Sequence, residues 1–269
     1  VSTYLAIGSI CWDEVPVEGQ IERRLGGSVL FAARIAREAG WQAVVVTSGT
    51  EPLADAAREA LPGVEVLVQP SEHDTVMRFE ERTELGPRRV PTVADPIDLD
   101  RVPDAARAAG SLTADIVHLA PILGEVTPRL VGQVTGARLL GVTPQGLLRE
   151  RDEVGRLGLV RQVDPWWAAG VDAVVASEEE HGHLGQALAG AAAAVAVTRG
   201  EAGCWGRQGA IEVDLPGVAV EPSPAGTIGA GDVFAATLFL GLAEGQGFAA
   251  AMDRANRRAA AHVAGQAPD

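Results

Sequence analysis

Lysine does not occur anywhere in this 269-residue sequence, so all 22 of its permanently basic side chains are arginines. A Walker-type P-loop ends in Gly-Lys-Ser/Thr and is thereby excluded. Aromatic residues make up only 4% against 47% hydrophobic residues, so the core has to be built from Val, Leu, Ile and Ala. The two cysteines, Cys11 and Cys204, lie far apart and lack metal-ligand spacing. They are expected to be reduced thiols in a cytoplasmic protein, with Cys11 in an apolar first strand. No apolar run is long enough to span a bilayer. No charged n-region followed by an apolar run opens the sequence, so no signal peptide is expected. Positive charge is in deficit: 22 basic against 36 acidic residues leave a net charge of −14. That balance argues against non-specific binding to nucleic acid or an anionic membrane. An anionic ligand therefore needs a local site.

What is present is an alternation of short apolar runs with helical ones. Strands are predicted at Tyr4–Ile10, Ala43–Thr47, Val64–Val68, Asp115–Leu119, Arg138–Val142, Asp172–Ala176 and Ala194–Thr198. Helices are predicted at Gly27–Ala39 and Leu53–Ala60, with helical stretches between most of the other strands. Runs of about five apolar residues between helices indicate a mostly parallel sheet covered on both faces. The fold class is α/β, doubly wound. Gly203–Val220 reads as a hairpin broken by Gly and Pro. Two segments, about 13–25 and 75–90, depart from the rhythm and are expected to form a small β flap beside the main sheet. Residues 1–269 are read as one domain carrying that flap, which either excludes water from a site at the carboxyl ends of the strands or is a set of plain surface hairpins.

The densest chemical signal is Gly226-Thr227-Ile228-Gly229-Ala230-Gly231-Asp232, followed by the apolar run Val233–Leu240. A glycine-rich turn entering a helix lets backbone come close to a phosphate, and the first N–H groups and the helix dipole favour an anion there. Asp232 is placed to accept a proton; the plain alternative is a tight loop with Asp232 as a helix cap. A second glycine pair, Gly26-Gly27, precedes the first long helix. Asp13 follows the first strand, near the carboxyl edge where α/β sheets bind ligands, although an aspartate there also forms turns.

Taken together, Gly8-Ser9-Ile10-Cys11-Trp12-Asp13, then Gly26-Gly27, then Gly229-Ala230-Gly231-Asp232 resemble the ribokinase-like (PfkB) family of carbohydrate kinases in order and spacing. Thr198-Arg199-Gly200-Glu201-Ala202-Gly203 resembles the family's strand-turn ahead of its nucleotide pocket, and Ala255-Asn256 fits its last helix. The resemblance implies ATP-dependent phosphoryl transfer to a hydroxyl of a small sugar, polyol or nucleoside. It makes Asp232 the base and the N–H groups of Gly229, Ala230 and Gly231 the anion hole. It makes Asp13 the acid that accepts hydrogen bonds from vicinal hydroxyls, with Gly26 and Gly27 letting the substrate lie close to the backbone. Thr198, Gly200, Gly203 and Asn256 fall on the nucleotide side. Glu180, in Ser177-Glu178-Glu179-Glu180, keeps the acid that organises Mg²⁺ through water. Its plain reading is an acidic helix start. With no lysine beside the phosphates, backbone N–H groups and Mg²⁺ have to supply positive charge, with or without an arginine.

Three positions depart from the family pattern. Gly226 stands where the family has an aspartate that helps bind a monovalent cation, which puts potassium activation in doubt. Phe31 replaces an asparagine in the first helix, and Ser177 replaces the amide ahead of Glu180. Phe31 and Gln145, in Thr143-Pro144-Gln145-Gly146, look more like the inositol 3-kinase branch than like ribokinase, and Gln145 joins the substrate side. The rival readings are a nucleoside kinase and a catalytically silent sugar- or nucleotide-binding module of the same fold. A dinucleotide oxidoreductase is disfavoured because no Gly-x-Gly-x-x-Gly follows the first strand. Flap strands in the family often pair between subunits, so a homodimer through the flap is a further expectation. The five histidines have no metal-ligand spacing, and Trp166-Trp167 carries no assigned role.

Overall fold

A computed structural model describes residues 1–80, 88–102, 114–134, 136–160, 167–168, 170–184, 188, 192–223 and 227–266. The chain opens with β1 (Thr3–Ile7), whose alternate residues enter opposite cores. Tyr4 and Ala6 face one side of the sheet, and Leu5 and Ile7 the other. A strand buried on both faces needs a continuous apolar run, and TYLAI supplies it. The hairpin β2 (Cys11–Val17) and β3 (Gln20–Gly26) follows, and then α1 (Ser28–Glu38), β4 (Gln42–Gly49), α2 (Glu51–Ala60) and β5 (Glu65–Pro70). Thr50 precedes α2 in an extended conformation, with Pro52 at the helix start and Glu51 in the first turn, which explains why the helix begins before Leu53.

After β6 (Val76–Phe79) and β7 (Arg88–Arg89), the chain returns to the main sheet as β8 (Ile116–Leu119). Next come α3 (Pro128–Gln133), β9 (Leu139–Val142), the short pair β10 (Arg149–Arg151) and β11 (Leu157–Leu159), and β12 (Val171–Ser177). The last elements are α4 (Glu178–Leu184), β13 (Ala192–Thr198), the hairpin β14 (Cys204–Gln208) and β15 (Ile211–Leu215), α5 (Ala230–Ala243) and α6 (Phe248–Val263).

The main sheet has nine strands in the order β15-β14-β13-β12-β9-β8-β1-β4-β5. Its strands run parallel from β13 to β5, and β14 and β15 add an antiparallel edge. Helices α1, α2, α5 and α6 contribute to the core on one face, while Ile97, Leu130, Leu148, Trp167, Leu184 and Leu188 are among the residues of the core on the other. This is the doubly wound α/β architecture that the sequence predicts, and the 203–220 hairpin is where it was expected. Helix α5 is buried from Val233 to Gly241, as expected for a helix that is apolar all round.

The flap is a separate four-stranded sheet, β3-β2-β6-β7, and residues 81–87 of the predicted flap segment lie outside the described residues. Its leading hairpin turns on Glu18 and Gly19, both at positive φ, which matches the twist of a two-residue hairpin loop. One strand boundary is corrected. The first strand ends at Ile7 rather than Ile10, and Cys11 belongs to the flap strand β2 together with Asp13, which the predicted flap segment already included. The cause is a pair of long-range hydrogen bonds: Ser9 N–H donates to Glu125 and Ile10 N–H to the Thr47 hydroxyl, so side chains replace a strand partner there.

Candidate active site

Strands β4 and β5 lie to one side of β1, and β8, β9, β12 and β13 to the other. The carboxyl ends of β1 and β8 therefore form a topological switch point, where open α/β sheets leave a crevice. Glu125 ties its two walls together. One carboxylate oxygen accepts Ser9 N–H at 2.9 Å and Ile122 N–H at 2.7 Å, and the other accepts Leu123 N–H at 2.7 Å. The residue is buried, and nothing in the sequence pattern marked it. Glu125→Gln puts an amide donor against backbone donors, and we expect about 1–3 kcal/mol of lost stability, measurable by urea unfolding.

Asp13 emerges from this crevice on β2 and is buried. The Cys11 thiol donates to its Oδ1 at 3.4 Å. Gly26 pairs with Cys11 across the hairpin, and a Cβ on Gly26 would collide with the Asp13 carboxylate. The lack of a side chain at Gly26 thus makes room for Asp13, and that at Gly27 for the Ser9 carbonyl. Burial raises the Asp13 carboxyl above its ordinary value, against the lowering effects of the Cys11 hydrogen bond, Arg24 and Arg88. Burial likewise pushes the Cys11 thiol well up, with Asp13 adding to it, so Cys11 is a hydrogen-bond donor rather than a thiolate.

Gly229 caps α5 in the left-handed conformation, φ 78° and ψ 5°, and Asp232 lies in the first turn of the helix. Asp232 is half-buried and Gly231 exposed, so the helix start is open to solvent. Val233 N–H closes the first helical hydrogen bond to Gly229 O, and Ala230 N–H turns back to Thr227 O at 3.3 Å. Among the described residues Gly231 N–H meets no backbone acceptor. Phe31 of α1 lies over Gly229, and its ring edge meets His262 of α6 with centroids 5.7 Å apart. His262 Nε2 is 2.8 Å from Ile228 O. The aromatic that replaces a polar family residue therefore braces the glycine turn. Gly229→Ala would force a left-handed alanine against the Phe31 ring. A loss of about 2–4 kcal/mol is expected from strain and overpacking, read as a lowered Tm. Gly226 lies outside the described residues.

Two further loops complete the cleft. The 3-10 turn Pro144–Leu147 carries Gln145, half-buried, and packs on the Glu125 loop through Gly146 N–H to Pro121 O and Gly124 N–H to Gly146 O. Arg149 starts β10 directly after it, and its guanidinium interacts electrostatically with Arg88, Glu180, Asp232 and Glu125. Burial, with Arg88 as a like charge nearby, lowers that guanidinium to about 10. Glu180 and Ser177 form a reciprocal cap at the start of α4. Glu180 Oε2 accepts Ser177 N–H at 2.8 Å, and Ser177 Oγ accepts Glu180 N–H at 3.2 Å. The capping role is therefore present, and Arg149 interacts electrostatically with both Glu180 and Asp232. No cluster of three His, Cys, Asp or Glu suited to a metal occurs among the described residues. The donor set present fits Mg²⁺ held mainly by phosphate oxygens and water, with Glu180 as a protein carboxylate.

On the far side of α5, Thr198 ends β13 and pairs with Cys204 of β14. Gly200 and Gly203 both have positive φ, and Gly203 packs against Leu215 O and Gly217. Asn256 Nδ2 donates to Pro216 O at 2.9 Å, so Gly203 and Asn256 converge on one loop, 215–217. Arg199 pairs with Asp214 beside it. Of the aromatic and histidine residues left without a role, His118 and Trp167 are structural. His118 is buried between Tyr4 and Thr143, and burial lowers it to about 3. Trp167 is buried in the second core, and Trp166 lies outside the described residues. Among the described residues no helix is long and apolar enough to cross a membrane.

Residues 167–267 match the family model described as pfkB family carbohydrate kinase. No curated protein matches the chain by sequence. Among solved structures the chain is similar to a pyrophosphate-dependent kinase in the ribokinase family, complexed with a pyrophosphate analog and myo-inositol. That likeness has a TM-score of 0.80 at 19% identity, over 98% of this chain and 96% of the other. An uncharacterized sugar kinase from Pyrococcus horikoshii gives 0.75 at 21% identity, over 100% and 93% of the two chains. Ribokinase of Arabidopsis thaliana, complexed with ribose and ATP, gives 0.70 at 17% identity, over 97% and 92%. At these identities the likeness to solved structures is one of fold, and the fold is ribokinase-like. The family and these neighbours are carbohydrate kinases, in agreement with the resemblance carried by the glycine motifs.

Proposed function

We propose that this chain, ribokinase-like in fold and matching the pfkB carbohydrate kinase family over residues 167–267, transfers a phosphoryl group to a hydroxyl of a small polyol or sugar. The observation that carries the reading is the start of α5: a left-handed Gly229 cap, an exposed Gly231 and a half-buried Asp232 in one helical turn. Phosphoryl transfer depends on positioning and charge stabilisation. Gly231 N–H and the positive end of the α5 dipole aim positive partial charge at the moving phosphate, with Gly229 shaping the turn and Ala230 N–H joining them by releasing Thr227 O. Asp232 takes the acceptor's hydroxyl proton as the oxygen attacks. Asp13 receives hydrogen bonds from the acceptor's other hydroxyls, because a carboxylate offers two acceptor oxygens and no competing donor. Gln145, beside the same crevice, adds an amide with one acceptor and two donor hydrogens. The flap folds over the acceptor and keeps water out.

Thr198, Gly200, Gly203 and Asn256 hold the donor's distal part when it is ATP. Mg²⁺, held near Glu180, would neutralise charge on the donor phosphates. Inorganic pyrophosphate is the second donor to test, since one structural neighbour is described as pyrophosphate-dependent. The acceptor class favoured is an inositol-like ring, on Phe31, Gln145 and that same neighbour's myo-inositol complex; furanoses and nucleosides are the alternatives. The reading includes a single domain over 1–269, a cytoplasmic location and a dimer through the flap.

The test is a matrix of ATP and pyrophosphate against polyols, sugars and nucleosides, followed by phosphate-ester formation. Turnover of an acceptor with either donor supports the reading. Saturable binding of polyol or nucleotide with no ester in any combination would establish the silent binding module instead.

A further inference from the structure

We propose that Arg149 is the side chain that grips the phosphoryl group in transit between donor and acceptor, an inference that rests on the phosphoryl-transfer reading above. In a chain without lysine the role of a mobile phosphate-binding cation falls to arginine. Most arginines near the flap and cleft are engaged elsewhere. Arg78 pairs with Glu14 at 2.7 Å, Arg89 with Glu80 at 2.8 Å, and Arg23 lies over the Trp12 ring at 4.5 Å. Arg149 differs. Its side-chain hydrogen bond is a long one, Nη1 to Ile122 O at 3.4 Å. Among the described residues no carboxylate comes within ion-pair distance of it, and none of its nitrogens is both buried and unpartnered. Most of its five donors therefore remain available to a ligand.

Its surroundings define what that ligand is. Arg149 starts β10, immediately after the turn that packs on the Glu125 loop at the switch point. Its charge reaches Asp232 in the first turn of α5 and Glu180 in the first turn of α4. Arg88, which also acts on Asp13, stands close enough to repel it. Arg88 lies over the Phe79 ring at 4.8 Å, and Glu180, Asp232 and Glu125 act against its repulsion of Arg149; an anion bound at Arg149 would offset that repulsion further. The crevice lies between the proposed acceptor-binding carboxylate and the proposed base, so the anion it suits is the phosphoryl group passing from one substrate to the other. A planar guanidinium presents paired N–H donors to two phosphate oxygens at once.

The step balances without a proton from Arg149. A bond forms from the acceptor oxygen to phosphorus while the bond from phosphorus to the donor's bridging oxygen breaks. The electron pair leaves with the ADP or orthophosphate product, the hydroxyl proton goes to Asp232, and Arg149 stays fully protonated.

The test compares wild type, Arg149→Ala and Arg149→Lys in turnover and in anion binding, well below each protein's Tm. Arg149→Ala should lower kcat about 10²–10³-fold with little change in the polyol KM. Arg149→Lys keeps the charge but loses the fork, and should fall between. Added guanidinium ion should restore part of the alanine variant's rate and none of Asp232→Asn. Calorimetric titration with Mg-ATP and with inorganic pyrophosphate should show weaker binding to Arg149→Ala for whichever anion wild type binds. Unchanged kcat, unchanged anion binding in the alanine variant, or wild type binding neither anion overturns the proposal. If wild type binds the anion through Arg149 but phosphorylates no acceptor, the functional reading falls and Arg149 stands as a phosphate anchor.

Discussion

Asp232→Asn should lower kcat by about 10³-fold while leaving KM for both substrates near wild type, because it removes proton acceptance and preserves shape. The residue sits in the first turn of α5, half-buried, behind a cap formed by Gly229. An amide of the same size fits there, and stability should change by no more than about 1 kcal/mol. Single-turnover measurement separates the outcomes. A slow chemical step with normal binding supports the base. A kcat equal to wild type would remove Asp232 from the chemistry and leave the glycine turn as an anion site alone.

The second large effect is at Asp13, where function and stability should move in opposite directions. Its carboxyl is raised chiefly by burial, so the empty native state holds a proton more tightly than the unfolded chain does. The contribution to stability is therefore greatest below the ordinary carboxylate value. It declines as pH rises through the raised native value and is level above that. Acceptor hydroxyls donate to the ionised form, so kcat/KM for the polyol should climb with pH across the same raised value. Asp13→Asn places a neutral group in the crevice. Near neutral pH it should raise Tm and flatten its pH dependence. It should also raise the polyol KM by roughly 10–100-fold, through loss of charge-assisted hydrogen bonds, with little effect on the donor KM. A variant with unchanged polyol KM would show that Asp13 touches no substrate.

The glycine turn at 229–231 was legible because its information is local. A glycine at positive φ, a helix start and an acid in the first turn lie within a few consecutive residues. The same holds for the alternating strands and helices, whose boundaries the pattern locates to within a few residues. The first strand is the exception. Its apparent continuation through Ile10 is apolar, yet Glu125 and Thr47, both distant in sequence, take the N–H groups of Ser9 and Ile10. Hydrophobicity reports burial, and it does not report which acceptor a backbone donor finds. That is why Cys11 read as part of the central sheet when it belongs, with Asp13, to the flap.

Arg149 and Glu125 carried no recognisable local pattern; the lack of lysine showed only that any cationic side chain in the site would be an arginine. Glu180 illustrates the reverse case. Ser177-x-x-Glu180 is a cap signature, and the capping bonds form, while its position near Arg149 follows from where β12 ends.

Composition and short-range pattern were enough to establish a lysine-free α/β chain with a glycine-built anion turn beside an acid, since helix starts and buried strands depend on neighbours a few residues away. Long-range folding alone brought Asp13, Glu125, Arg149 and Asp232 around one crevice. Their meeting depends on strand order and loop packing, and a carboxylate's protonation depends on the water and charges that the finished fold leaves around it.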